Sequence, residues 1–166
     1  LTWFKWEAYA TWISGFALLT VIYYTSAGLY MIDFEILDIE PWQAVVISLV
    51  GIVFGWVLYD GMCRSPLGRS DVALGVAGFV FLVALAWGYT QIFAARGAFV
   101  QMGVTIGTIM VANVLMVIIP GQKKVVVALR AGNAPDPGYG ARGKQRSLHN
   151  NYLTLPVIFV MIGGHY

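Results

Sequence analysis

Four stretches of this chain carry no charged side chain: 25 residues between Glu7 and Asp33, 24 between Asp71 and Arg96, 26 between Arg96 and Lys123, and the 20 that follow Arg146. Each is as long as the roughly 20 residues that an α-helix needs to cross a bilayer. Composition agrees, since 59% of the 166 residues are hydrophobic and 11% are charged, with a mean hydropathy of +0.75. Soluble domains sit nearer half apolar and about a quarter charged. A secretory leader would be a single apolar stretch of about 7–15 residues near the start, whereas these recur to the end. The pattern predicts an all-α, polytopic transmembrane helix bundle in contact with a lipid bilayer.

The first span is expected over residues 4–24, opened by Trp3, Lys5 and Trp6, types that favour the membrane interface. Pro41 suits the first turn of a second, shorter span over residues 41–59, because a helix has no use for that N–H. A third span is placed at 72–93, a fourth at 98–119 ended by Pro120 and Gly121, and a partial fifth at 150–166. Residues 121–149 are rich in glycine and proline and read as a loop, with room for a short interfacial helix over 123–130. This gives four complete spans and a partial fifth in one transmembrane domain, which reads as a piece of a longer protein. Lys5, Arg64, Arg69, Lys123, Lys124, Arg130, Arg142, Lys144 and Arg146 fall on one side of these spans and Arg96 alone on the other. The excess of cations marks the cytoplasmic side, so the chain start and the 121–149 loop are expected inside and the acidic 33–40 loop outside.

A formal charge of +2 gives no ground for a nucleic-acid partner. One cysteine, Cys63, excludes an internal disulfide, a four-thiolate metal site and the two-cysteine attachment of a c-type haem; no metal site is expected. Polar residues inside spans need partners. Gln101, Thr105, Thr108 and Ala112 share one helical face, with Gly103 and Gly107 nearby, and Gly51 and Gly55 repeat the small-residue spacing that lets helices approach closely. Asn113 requires either a neighbouring helix or a ligand. His149 and His165 are 16 residues apart, ~24 Å of rise and about 160° of rotation on a straight helix, so they cannot hold one iron. Each could still serve as an interfacial side chain or bind a haem shared with a span outside this chain. Arg146, His149, Asn150, Asn151 and Tyr152 combine cationic, imidazole, amide and phenol groups, a mixture able to grip a planar anionic heterocycle.

The strings LTWFKWEAYATWISGFALL, VLYDGMCRSPLGR, TIGTIMVANVLMVIIPGQKKVV and GKQRSLHNNYLTLPVIFVMIGGHY resemble the membrane domain of the bacterial cytochrome-linked urate oxidases, or urate hydroxylases, over nearly the whole chain. The chain is similar to the middle portion of that domain, and its closing IGGHY departs from the family's more usual Ser-Asn-His-Tyr-Pro. The resemblance implies a bacterial inner-membrane protein that oxidises urate to 5-hydroxyisourate and passes electrons to a cytochrome c domain or partner subunit. Haem c would then lie outside this chain, and a haem b shared with another span stays open. The residues expected to act are His149 as catalytic base or ligand, Arg146 as the anion partner, and Asn150, Asn151 and Tyr152 as substrate-binding groups. The alternative is a non-catalytic urate-oxidase-like membrane subunit that packs its glycine-lined helices in a respiratory or photosynthetic complex.

Overall fold

The computed structural model describes residues 2–163, and every regular element among them is helical. Helix α1 covers Thr2–Leu19 and runs on through a wide π turn, Thr20–Tyr24; α2 is a single turn, Ala27–Tyr30. Helix α3 spans Pro41–Arg64, and a 3₁₀ turn, Pro66–Arg69, leads into α4, Asp71–Thr90. Helix α5, Ala95–Ala112, passes through a second π turn, Asn113–Ile118, into α6, Ile119–Arg130. Helix α7 is Pro137–Gly163.

The helix starts follow local chemistry. At α3 the backbone N–H of Glu40 donates to Gln43 Oε1 (2.8 Å) in a reciprocal capping box, with Pro41 at the first helical position. At α4 the Ser70 hydroxyl accepts from the Ala73 N–H (3.3 Å). These side chains satisfy donors that the first helical turn leaves unpaired.

Helix α5 is the centre of the bundle and packs against α1, α3, α4 and α7. One core cluster gathers Ala27, Met31, Ala44, Tyr89, Phe93 and Ile106 near the acidic loop; another joins Tyr59, Cys63, Leu74, Phe81 and Ile109 at the opposite end. The outer faces are also apolar, with Val50, Val53 and Val57 of α3 and Val76, Val80 and Val83 of α4 all exposed. Arg96 stacks over Tyr30 at the acidic-loop end, whereas Gln145 donates to the Gly68 carbonyl (2.8 Å) at the other.

Among the described residues, three helical stretches are long and apolar enough to cross a membrane: Pro41–Arg64, Asp71–Thr90 and Ala95–Arg130. This is fewer than four complete spans and a partial fifth. The straight part of α1 is only 18 residues and contains Lys5 and Glu7. The first half of α7 is polar, which leaves a short apolar remainder among the described residues.

The expected loop over 121–149 is corrected most. Pro120 does not end the fourth helix: the π turn before it bonds Ile119 N–H to the Val114 carbonyl, and the chain stays helical to Arg130. A proline early in a helical segment removes an N–H and kinks the helix, and the wide turn takes up that irregularity. Helix α6 then closes in a Schellman motif, with Gly132 at φ +73°, Gly132 N–H on the Leu129 carbonyl (3.1 Å) and Asn133 N–H on the Ala128 carbonyl (3.0 Å). Four residues later Pro137 begins α7, capped by Asp136 Oδ1 accepting from Gly138 N–H (2.8 Å). The breakers therefore mark a helix end and a helix start. The second predicted span likewise runs past residue 59 to Arg64, which places Asp60 on a helix.

Candidate functional site

The polar residues of α3, the second π turn and α7 meet at one junction. Those that are buried there must find their partners within the protein. Asp60 Oδ1 receives Arg146 Nη2 at 2.6 Å, and Asp60 Oδ2 receives Arg64 Nε at 2.6 Å. Arg146 Nη1 donates to Asn113 Oδ1 (3.1 Å). The Asn113 amide then donates both its hydrogens, to Tyr59 Oη (3.1 Å) and to Asn150 Oδ1 (2.8 Å), and Asn150 Nδ2 donates to the Met110 carbonyl (2.9 Å).

Tyr59 Oη lies 2.7 Å from His149 Nδ1. Tyr59 Oη accepts from Asn113; when its O–H donates to His149 Nδ1, the imidazole proton is on Nε2. Burial, followed by the charge of Arg146, holds His149 below its ordinary pKa of 6.5, so this ring, midway along α7, is neutral at physiological pH. The Arg146 guanidinium also faces the Tyr59 ring, 5.1 Å from its centroid. No buried side-chain nitrogen or oxygen among the described residues lacks a hydrogen-bond partner.

This junction is a wall between two cavities. On one side is a cavity of about 530 Å³ lined by Arg64, Lys124, Tyr139, Arg142, Gln145 and Arg146. Lys124 and Arg142 stand over the Tyr139 ring, at 4.9 and 5.1 Å from its centroid. No carboxylate lines it, and Asp60 is the one acid bonded to its arginines. Four cations against one carboxylate make it an anion-attracting site. On the other side, between α3, α4 and α7, is an apolar groove of about 230 Å³ that ends on Tyr59 and His149.

The predicted site residues divide between these places. Arg146 is 3% exposed, in the wall and on the basic cavity, while His149 joins the wall to the groove. Asn150 is in the wall, where its Oδ1 accepts from Asn113 and its Nδ2 donates to the Met110 carbonyl. Asn151 is exposed and outside the cluster; Tyr152 is 69% exposed at the rim of the groove. On a helix, the residues facing a neighbour are three or four apart, so 146, 149 and 150 converge and 151 and 152 turn away. His165 lies outside the described residues.

Sequence reasoning missed Asp60, Tyr59 and the basic set of Lys124 and Arg142. Asp60 was placed at a helix end; the signal for it was the unbalanced charge of a buried arginine, which requires a carboxylate partner. Asn113 finds its partners on α3 and α7, which answers the choice between helix and ligand. Among the described residues no group of three His, Cys, Asp or Glu side chains could hold a metal ion.

A second polar network closes the opposite end of the bundle. Tyr24 Oη and Ser48 Oγ are 2.8 Å apart, Ser48 Oγ donates to Gln101 Oε1 (2.6 Å), and Gln101 Nε2 returns to the Ser48 carbonyl (2.9 Å). Tyr89 Oη and Thr105 Oγ1 are 2.8 Å apart. These groups saturate one another and join α1, α3, α4 and α5.

Fold and site together define a bundle of apolar helices with a charged small-molecule cavity built between them. The chain belongs to the urate oxidase N-terminal family, whose model matches residues 1–166. No curated protein and no solved structure matches it.

Proposed function

We propose that this chain is the membrane domain of a urate oxidase, which binds the urate anion in the basic cavity and oxidises it to 5-hydroxyisourate. The observation that carries the reading is the cavity itself, four cations around about 530 Å³ in a chain of the urate oxidase N-terminal family. Urate is a flat anion at neutral pH. Arg146 and Arg64 offer it fixed guanidinium edges held by Asp60, Lys124 and Arg142 add charge at the mouth, and Gln145 and Tyr139 add polar edges.

The reaction joins urate and water and releases two electrons and two protons. The electrons leave for a cytochrome c domain or partner subunit outside this chain. His149, on the far side of the wall, takes up a proton at Nδ1 by way of the Tyr59 hydroxyl bonded to it. Apolar outer faces on α3 and α4 support a bilayer setting, since soluble proteins seldom expose apolar patches of that extent. The cation-rich end of the bundle faces the cytoplasm by the positive-inside rule.

The saturated hydrogen bonding of Asn113 and Asn150 favours a second reading, a non-catalytic subunit whose polar wall only locks helices together. Urate consumption by membranes separates the two when measured with an added cytochrome c and normalised to inserted protein. The oxidase reading expects Arg142→Ala with Lys124→Ala to raise KM with little change in kcat, and His149→Gln to lose most turnover. Parental kinetics in all three variants, or no urate consumption by the parent, leaves the non-catalytic reading.

A further inference from the structure

The groove between α3, α4 and α7 has the chemistry of a ring-binding site. Its walls include Leu74, Phe81, Leu82 and Leu153, and the floor along α4 is opened by Gly75 and Gly78. A Cβ placed on either glycine would meet nothing within 4 Å, so the pair leaves a flat, unfilled slot. Phe79 and Tyr152, each 69% exposed, stand at the rim on the apolar outer surface.

The closed end is polar in a defined way. His149 Nδ1 is bonded to the Tyr59 hydroxyl, and Nε2, which carries the proton when Tyr59 donates, makes no hydrogen bond among the described residues. A second polar group is made by Pro156, inside α7. It has no N–H to give the carbonyl four residues earlier, and that carbonyl belongs to Tyr152, beside the groove. An imidazole and a backbone carbonyl that proline leaves without its helical N–H thus belong to residues lining an apolar slot. An acyl chain has no use for either group, whereas a quinone oxygen accepts from the imidazole and a quinol hydroxyl donates to the carbonyl.

We propose that this groove binds the head group of a lipid-soluble quinone against His149, and that the quinone takes the two electrons released in urate oxidation. Urate and water give 5-hydroxyisourate, two protons and two electrons. The quinone takes up two electrons and two protons, one at each ring oxygen, and becomes the quinol. The quinol then delivers its electrons singly to a cytochrome c, which matches a two-electron substrate to a one-electron carrier. The electron source rests on the function proposed above; the binding site does not.

The test uses the intact protein in lipid nanodiscs with decylubiquinone as the probe. Without urate, saturable binding is expected, weakened at least about tenfold by Gly78→Leu, which fills the slot, and about tenfold by His149→Phe, the loss of one hydrogen bond. Urate affinity should stay within about twofold in Gly78→Leu; Gly75→Leu serves in its place if that variant fails to insert. No saturable binding, unchanged affinity in the glycine variant, or equal displacement by decanol overturns the site. Anaerobic addition of urate should then yield one quinol per urate consumed. Urate consumed while the bound quinone stays oxidised overturns the acceptor role. A protein that binds quinone but never consumes urate retains the site and refutes the urate reading, so the two failures are distinct.

Discussion

Asp60 carries more of this architecture than any other residue. It is the carboxylate bonded to both Arg64 and Arg146, and the Arg146 side chain is only 4% exposed. A buried ion pair gains little over apolar packing, but removing one partner strands the other charge at about 3–5 kcal/mol. Asp60→Asn is therefore expected to lower thermal stability by an amount in that range, measured by melting of the purified protein in detergent. Asp60→Asn combined with Arg146→Met should recover much of the loss, because it removes both charges. A double variant no more stable than the single one would mean that the pair does not act as a unit. Of this cluster, Arg146, His149 and Asn150 were legible in the sequence as members of one polar stretch, although residues to 149 were expected in a loop; helix α7 sets them three and four residues apart on one face. Tyr59 and Asp60 were not, since their partners are about 90 residues away in sequence and only packing brings them together.

At the scale of the helices, small residues set the spacing. A Cβ on Gly55 would fall 2.5 Å from Thr105 Cγ2, and one on Gly51 would fall 2.9 Å from the Tyr89 hydroxyl, whereas Gly107 has open space. Gly55→Ala should destabilise the α3–α5 contact by about 1–3 kcal/mol, the usual penalty of overpacking, while Gly107→Ala should leave the melting temperature unchanged. Equal melting of the two variants would remove Gly55 from the contact. The small-residue spacing predicted close approach at both pairs, and Gly51, Gly55 and Gly103, whose Cβ would lie 3.3 Å from Val160 Cγ2, fulfil it. Gly107 does not, because spacing identifies a face but not which of its positions meets the neighbour. The start at Pro41 was readable from local chemistry. The hairpin of α6 and α7 was hidden because glycine and proline counts alone do not separate a loop from a helix end followed by a helix start.

At the scale of the molecule, charge is sorted by end. Arg96 sits with Tyr30 and the acidic loop, and Lys124, Arg142 and Arg146 gather at the opposite end around the basic cavity. In a bilayer that asymmetry favours one orientation. Cys63, at 9% exposure, is too buried to report it, but Asn133 is exposed in the turn between α6 and α7. Asn133→Cys should react with a membrane-impermeant maleimide only after intact cells are opened; labelling from outside would reverse the orientation.

The shared carboxylate also has a consequence for assembly in time. Arg146 arrives on α7, long after α3 has been synthesised, and its buried position is tolerable only once Asp60 and Asn113 are there to receive it. Helix α7 is thus a latch with a charge check: its guanidinium docks where the Asp60 carboxylate and the Asn113 amide already stand together. Docking of that helix completes both cavities at once, the basic one through Arg142, Gln145 and Arg146 and the apolar one through His149 and Pro156. A chain that has not yet made α7 has neither site.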